Sequence, residues 1–259
     1  MPKWNSEPWA QSPNVLLEDL EIKYRLAMHL GKVETPAKTT CKKLMAAREW
    51  CDSVPQDTLL QAVEDLEAIY VLKDVPPGPG ILFPIRDVTG EIRRVHIRVN
   101  DPKVYGSRYL SITDTDNFIG PPWLGMDDAT LLAIIQTHTV IVMEGPFDLL
   151  AIRTLEPKLP AVSSLTKKLG EGHWDYLKIL GVKRIYVMFD NEAQGKLAAS
   201  AMQERHKDFE ITSVLCPAHD PSDAMKTPQK LSALRRILHT LVPIPKPLKA
   251  TPTFILEDD

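Results

Sequence analysis

From Asp127 onward the hydrophobic period of this chain keeps changing. Helix "DDATLLAIIQ" is followed by strand "TVIVME", helix "PFDLLAIRTL", strand "PAVSSL" and helix "GHWDYLKIL". Strand "RIYVMFD", helix "AQGKLAASAMQERH" and strand "EITSVLC" complete the series. Strands separated by helices cannot pair through tight hairpins, so the pattern predicts βαβ units with right-handed crossovers and a parallel sheet flanked by helices. No other feature narrows the fold as much.

The flanking segments read differently. In "SPNVLLEDLEIKYRLAMHLG" the residues Val15, Leu16, Leu20, Tyr24 and Met28 recur at helical spacing, with Gly31 as a stop. Two more helices are expected over "TTCKKLMAAREW" and "SVPQDTLLQAVEDLEAIYVL", the latter capped by Ser53 with Pro55 in its first turn. "PPGPG" ends this region, and β-branched "ILFPIRDVTGEIRRVHIRV" follows, with Thr89-Gly90 at a hairpin turn. The expected organisation is a helical region over 1–79, a small β-rich part over 80–126, the α/β domain over 127–226, and a helix with a flexible Pro/Lys tail over 227–259.

Composition excludes several classes of protein. With 44% hydrophobic and 25% charged residues the chain can build an ordinary core, and its net charge of −3 leaves nucleic acid to be met by local patches. Three cysteines, Cys41, Cys51 and Cys216, are too few for a disulfide framework or a four-ligand zinc module. There is no apolar run long enough to span a membrane and no signal-peptide core at the start. The expectation is a soluble, cytoplasmic protein.

Ligands of parallel α/β sheets bind beyond the carboxyl ends of the strands, and that is where this chain puts acids. "VIVMEGPFD" ends a strand on Glu144, turns at Gly145 and sets Asp148 in the first turn of the next helix. "YVMFDNEAQG" ends another on Asp190 and Glu192, and "LCPAHDPSD" carries Asp220 and Asp223 just past a third. One such acid would be a helix cap; several together repel unless a cation sits among them. An all-oxygen set suits Mg2+ or Mn2+ rather than zinc.

The order "VIVMEGPFDLLAI", "IYVMFDNEAQGKLAA", "LCPAHDPSDAM" resembles the Toprim domain, in the version found in bacterial and phage primases of the DnaG type. "GILFPIRDVTGEIRRVHIRV" and "GSRYLSITDTDNFIGPPWLG" resemble the stretch of the primase core that precedes that domain, so the resemblance runs over about residues 80 to 226. It implies a Toprim-like parallel sheet after a β-rich subdomain. It also implies catalytic roles for Glu144, Asp190 and Glu192, and divalent metal held by Glu144, Asp148, Asp190, Glu192 and Asp220. Arg98 stands where the family contacts nucleotide or template, and Arg108 where it has a Lys before Tyr. The implied partners are single-stranded DNA, nucleoside triphosphates and a replicative helicase or other replication protein.

This chain departs from the family pattern in places. Glu192 replaces an Asp, Ser222 stands where an acid often completes the last segment with Asp223 one position later, and Ile119 takes the place of a basic residue. A zinc-binding module ahead of the core is not expected from this sequence, and the N-terminal helices match nothing in the family. The missing zinc module suggests a reduced or phage-, plasmid- or mobile-element-type enzyme.

Two cations held by carboxylates can activate a 3′-hydroxyl and offset charge on attacking and leaving oxygens, the chemistry of primer synthesis. Glu144 can serve as ligand or general base. Lys167, Lys168 and Lys196 are candidate contacts to nucleotide or template. Six basic residues against three acids between Arg86 and Arg108 form either a phosphate-facing strip or a solvated hairpin face. His173 and His219 lack ligand partners in sequence, and Trp123 and Trp174 are either base-stacking residues or, as is more usual, packed aromatics. A Toprim nuclease and a catalytically reduced nucleic-acid-binding accessory protein are the alternatives to a primase.

Overall fold

The computed structural model describes residues 12–75, 77–114, 119–190 and 193–242, without the side chains of 104–105 and 193–196. In chain order, α1 (Pro13–His29), α2 (Pro36–Ala47) and α3 (Gln56–Asp65) precede β1 (Ile69–Val71), β2 (Gly80–Arg86) and β3 (Ile92–Val99). Next come α4 (Pro102–Tyr105), β4 (Tyr109–Thr113), α5 (Asp128–Thr137), β5 (Thr139–Met143) and α6 (Pro146–Leu155). β6 (Ala161–Ser163), α7 (Glu171–Ile179), β7 (Arg184–Met188), α8 (Ala193–Arg205), β8 (Glu210–Ser213), α9 (Pro221–Ala224) and α10 (Pro228–Leu241) follow. Among the described residues no helix is long and apolar enough to cross a membrane.

The alternating segment folds as its periodicity predicts. β5 to β8 form a wholly parallel sheet in the order β6-β5-β7-β8. Side chains of β5 point alternately to two cores: Ile141 and Met143 pack with α3, α6 and α10, while Val140 and Val142 pack with Ile134, Trp174, Leu177 and Met202. Burial on both faces is why this strand reads as an unbroken apolar run.

β1 to β4 form an antiparallel meander. One face, with Leu82, Val95, Ile97, Leu110 and Ile112, is covered by Leu16, Leu20 and Tyr24 of α1. The other presents Ile81, Phe83 and Ile85 to the core shared with α6, where Phe83 meets Phe147 edge-on at 5.5 Å. The molecule is therefore layered as α1, antiparallel sheet, α3 with α6 and α10, parallel sheet, then α5 with α7 and α8.

Three local expectations need correction. The helix expected over 53–72 stops at Asp65, and Ile69–Val71 instead add a strand beside β2, Ile69 opposite Leu82. Glu67, at φ 48, makes the turn between them, and β-branched residues then take the sheet edge. Ser53 is not the cap of α3; its hydroxyl donates to Trp50 O at 2.6 Å and Met225 O at 2.9 Å, tying the N-terminal helices to α9. On α1, Val15 and Met28 are each 41% exposed, because the buried stripe runs through Leu16, Leu20 and Tyr24 at a strict four-residue interval. The tail "PIPKPLKATP" lies outside the described residues.

Arg153 locks the junction of the two sheets. It is 3% exposed, and its Nη2 donates to Gly125 O at 2.7 Å and Asp127 Oδ2 at 3.0 Å, with Thr130 Oγ1 and Ala161 O alongside. Leu124 also bridges to Ser163 at the sheet edge. Arg153→Met strands these acceptors in a dry interior and should cost about 3 kcal/mol of stability, read as a lower urea midpoint with an unchanged m-value.

Candidate active site

The sheet order creates the site. The chain leaves β5 toward β6 and leaves β7 toward β8, in opposite directions, so a crevice opens between the carboxyl ends of β5 and β7. Met143 pairs with Met188, so Glu144 leaves its strand one residue beyond the ladder and Asp190 leaves the neighbouring strand two residues beyond it. Glu144 and Asp190 are each about a quarter exposed. Glu192 lies outside the described residues, as does the Lys196 side chain.

Asp148 occupies the third position of α6, where the unpaired N–H groups favour a carboxylate. It is 9% exposed. Burial and the nearby carboxylates of Asp220, Asp190 and Glu144 push it well above the ordinary aspartate range, against the lowering effect of an N–H donated by Ser222. Gly145 makes this geometry possible through space rather than φ: a Cβ there would stand 2.8 Å from Asp148 Oδ2. Asp148 thus lies within electrostatic reach of the other three acids.

Asp220 is held as the cap of α9, its Oδ1 accepting from Asp223 N at 2.6 Å and from the Ser222 hydroxyl at 2.8 Å. Ser222 therefore orients two acids. Asp223 pairs with Lys226 at 2.6 Å, a contact of its own rather than a place in the cluster. His219 Nε2 lies 3.9 Å from Asp190 Oδ2, and Lys167 Nζ lies 3.5 Å from Glu144 Oε2. Among the described residues, no three His, Cys, Asp or Glu side chains stand around one point at ligating distance. Mg2+ suits such an open arrangement, since it takes one or two carboxylates and completes its octahedron with water and phosphate.

Near the acids are cations from the antiparallel sheet and the N-terminal helices. Arg98, on β3, lies over the Tyr109 ring at 4.8 Å. Arg48, at the C-terminus of α2, lies over Phe147 at 4.2 Å. Burial and the neighbouring Arg98 pull the Arg48 guanidinium down from its ordinary value, and Asp220 supports its charge. Tyr109 is pushed up by burial, with Arg98, Asp148 and Arg48 among the charges it feels. His96 stacks on Tyr109 at 4.8 Å and meets Ser111 Oγ at 2.8 Å; burial and Arg94 push it down to about 4, so it is neutral at pH 7.

Arg48 and His96 carry no signal in the sequence. Arg48 reads there as one more polar residue of a surface helix; only the helix stop at Ala47 and the buried Trp50-Cys51 turn behind it aim it inward. The basic strip is also divided. Arg86 is bound by Glu67 at 2.6 and 2.9 Å, Arg93 by Asp87 and Asp114, and only Arg94 and Arg98 lie on the face of Tyr109. Arg108 is exposed just ahead of β4, one residue out of phase with Tyr109, and Lys168 is exposed beside Lys167. His173 is packed edge-on against Trp123 and accepts from Gly170 N, and Trp174 stacks on His206.

Residues 141–225 match the Toprim-like family model. No curated protein sequence matches the chain. In three dimensions it is similar to the RNA polymerase domain of Mycobacterium tuberculosis primase DnaG (TM-score 0.53, 21% identity, 66% of this chain and 58% of that one). It is similar also to a DnaG primase catalytic domain bound to ssDNA (TM-score 0.55, 18% identity, 82% and 74%) and to the E. coli primase catalytic core (0.50, 22%, 70% and 59%). The chain thus spans 58% of the length of the mycobacterial domain, and at these identities the likeness is one of fold. Residues 141–225 thus match a Toprim-like domain, within a chain whose fold is similar to that of DnaG-type primase catalytic cores.

Proposed function

We propose that this protein is a primase-like nucleotidyltransferase that joins ribonucleotides into short primers on single-stranded DNA, using Mg2+ or Mn2+. The observation that carries this reading is the electrostatic proximity of the acids to two guanidinium groups: Asp148 feels Asp220, Asp190 and Glu144, Asp220 supports the charge of Arg48, and Tyr109 feels Asp148, Arg48 and Arg98 together. Anionic substrate with a divalent cation suits two such sets of charge; neither set alone would hold it.

The roles follow from chemistry and position. Asp148, Asp190 and Asp220 would hold the ion, with Glu144 as a further oxygen donor; Glu192 is assigned to the same set from sequence alone. When bound among them, the cation lowers the pKa of the attacking 3′-hydroxyl and offsets charge on the triphosphate. Arg48 and Arg98 present planar forks that suit phosphate oxygens. Tyr109, fixed by the His96 stack, supports Arg98 from beneath. Arg108 and Lys168, both exposed, are further candidate contacts to template, and Lys196 is a candidate from sequence alone. A cytoplasmic enzyme of this kind would work with a replicative helicase or another replication protein.

The test is incubation with single-stranded template, ribonucleotides and Mg2+ or Mn2+, with and without helicase. Short oligoribonucleotides are expected, reduced about 100-fold or more in Asp190→Ala. Cleavage of the template without synthesis would favour a Toprim nuclease, and binding with neither activity an accessory protein. In the same assay Arg48→Ala and Arg98→Ala should each raise the nucleotide KM about tenfold, the usual cost of removing a charged hydrogen-bond partner. Arg48 is the sharper case, because nothing in the sequence motifs marks it.

Asp148 gives a test that needs no turnover. Its folded-state pKa lies above its unfolded value of about 3.9, so without metal its ionisation opposes folding, and that part of the stability declines as pH rises from the unfolded value through the folded one. Metal-free Asp148→Asn should therefore melt higher than wild type at neutral pH, with the gap closing as pH falls. Added Mn2+ should raise the melting temperature of wild type more than that of the variant.

A further inference from the structure

We propose that Lys167 is a built-in counter-cation of the acidic crevice, which a divalent cation must displace from Glu144 to bind. The inference rests on the metal-site reading given above and adds a residue that sets the strength of that site.

The placement of Lys167 is constructed by buried groups. Ser163, fully buried at the end of β6, donates its hydroxyl to Glu144 O at 2.9 Å and accepts from Leu165 N at 3.2 Å. One side chain therefore fixes both the strand end that carries Glu144 and the start of the loop that carries Lys167. Ser164, 2% exposed, donates to Thr166 O at 2.6 Å, and its N–H bonds Met143 O at 3.0 Å. Leu165 holds φ +59, a left-handed conformation that a residue other than glycine seldom adopts, two residues ahead of Lys167.

The result separates two adjacent lysines. Lys167 brings Nζ to 3.5 Å from Glu144 Oε2, with side chains 25% and 28% exposed, whereas Lys168 stands out in solvent. An exposed Lys–Glu pair would have little consequence, but this one is largely enclosed, and Glu144 is one of the three acids that Asp148 feels. Before any ion enters, the ammonium offsets part of their repulsion. Because it stands on a carboxylate proposed to receive the ion, metal and lysine compete for one oxygen.

The experiment is calorimetric titration of Mn2+ into the full chain without nucleotide or nucleic acid. It compares wild type with Lys167→Met, Lys167→Arg and Lys168→Met. Lys167→Met should bind Mn2+ about 3- to 10-fold more tightly, the scale of removing one partly screened charge at this distance. Lys167→Arg and Lys168→Met should bind as wild type does. The metal-free Lys167→Met protein should also melt lower than wild type, and saturating Mn2+ should erase the difference. Unchanged or weaker binding by Lys167→Met, alongside clear binding by wild type, overturns the inference and leaves the metal site standing. A melting deficit that persists in saturating Mn2+ overturns it too. If wild type binds no divalent cation, the metal-site reading itself fails, and the inference falls with it.

Discussion

The structure depends on a helix with no solvent face. Every residue of α6 from Pro146 to Leu155 is buried, and two of them, Asp148 and Arg153, are ionisable. A helix enclosed on all sides must satisfy or neutralise whatever charge it carries. α6 does so unevenly at its two ends: Arg153 Nη2 is surrounded by carbonyl, carboxylate and hydroxyl acceptors while its Nε is buried without one, and Asp148 is pressed against other acids. The helix sits between the parallel sheet and the antiparallel sheet, with α3, α9 and β6 against it. The element that holds the two sheets together is thus also the element that aims a carboxylate into the crevice. Stability and site geometry cannot be altered independently along it.

The charge problem at the Asp148 end is eased rather than removed. Ser222 supplies one donor to Asp148, while His219 stands near Asp190 and Lys167 on Glu144. Each is a partial remedy. A carboxylate still raised by its neighbours is one whose ionised form gains from a bound cation, the usual condition of groups recruited for metal chemistry.

How much of this was legible in the sequence varies with the range of the interaction responsible. The parallel sheet was readable because each strand is a local apolar run between helical periods, and the positions of Glu144, Asp148, Asp190 and Asp220 follow from strand ends. β1 was not readable. Ile69-Tyr70-Val71 continues a helical apolar pattern, and only the edge of β2, with Tyr70 N donating to Thr40 Oγ1, draws it into a strand. Arg48 was invisible for the same reason, since its inward aim is set by the Trp50 turn and the ring of Phe147, a hundred residues away. Arg86 and Arg93, conspicuous in sequence, are taken by Glu67, Asp87 and Asp114 and leave the basic face to fewer residues than their count implies.

Ser222 bears on how departures from a family pattern should be weighed. In sequence it looks like a lost acid, and a lost ligand would weaken the case for metal chemistry. In three dimensions its hydroxyl bonds Asp220 Oδ1 and its N–H lowers Asp148. A carboxylate at the same position could keep the N–H, but it would replace the hydroxyl donor with another acceptor facing Asp220 and add repulsion to an aspartate already raised by three neighbours. Substituting a donor for an acceptor therefore preserves the orientation of the remaining acids while reducing the negative charge that any bound cation must offset. On this argument the crevice needs fewer acids because those it keeps are better held.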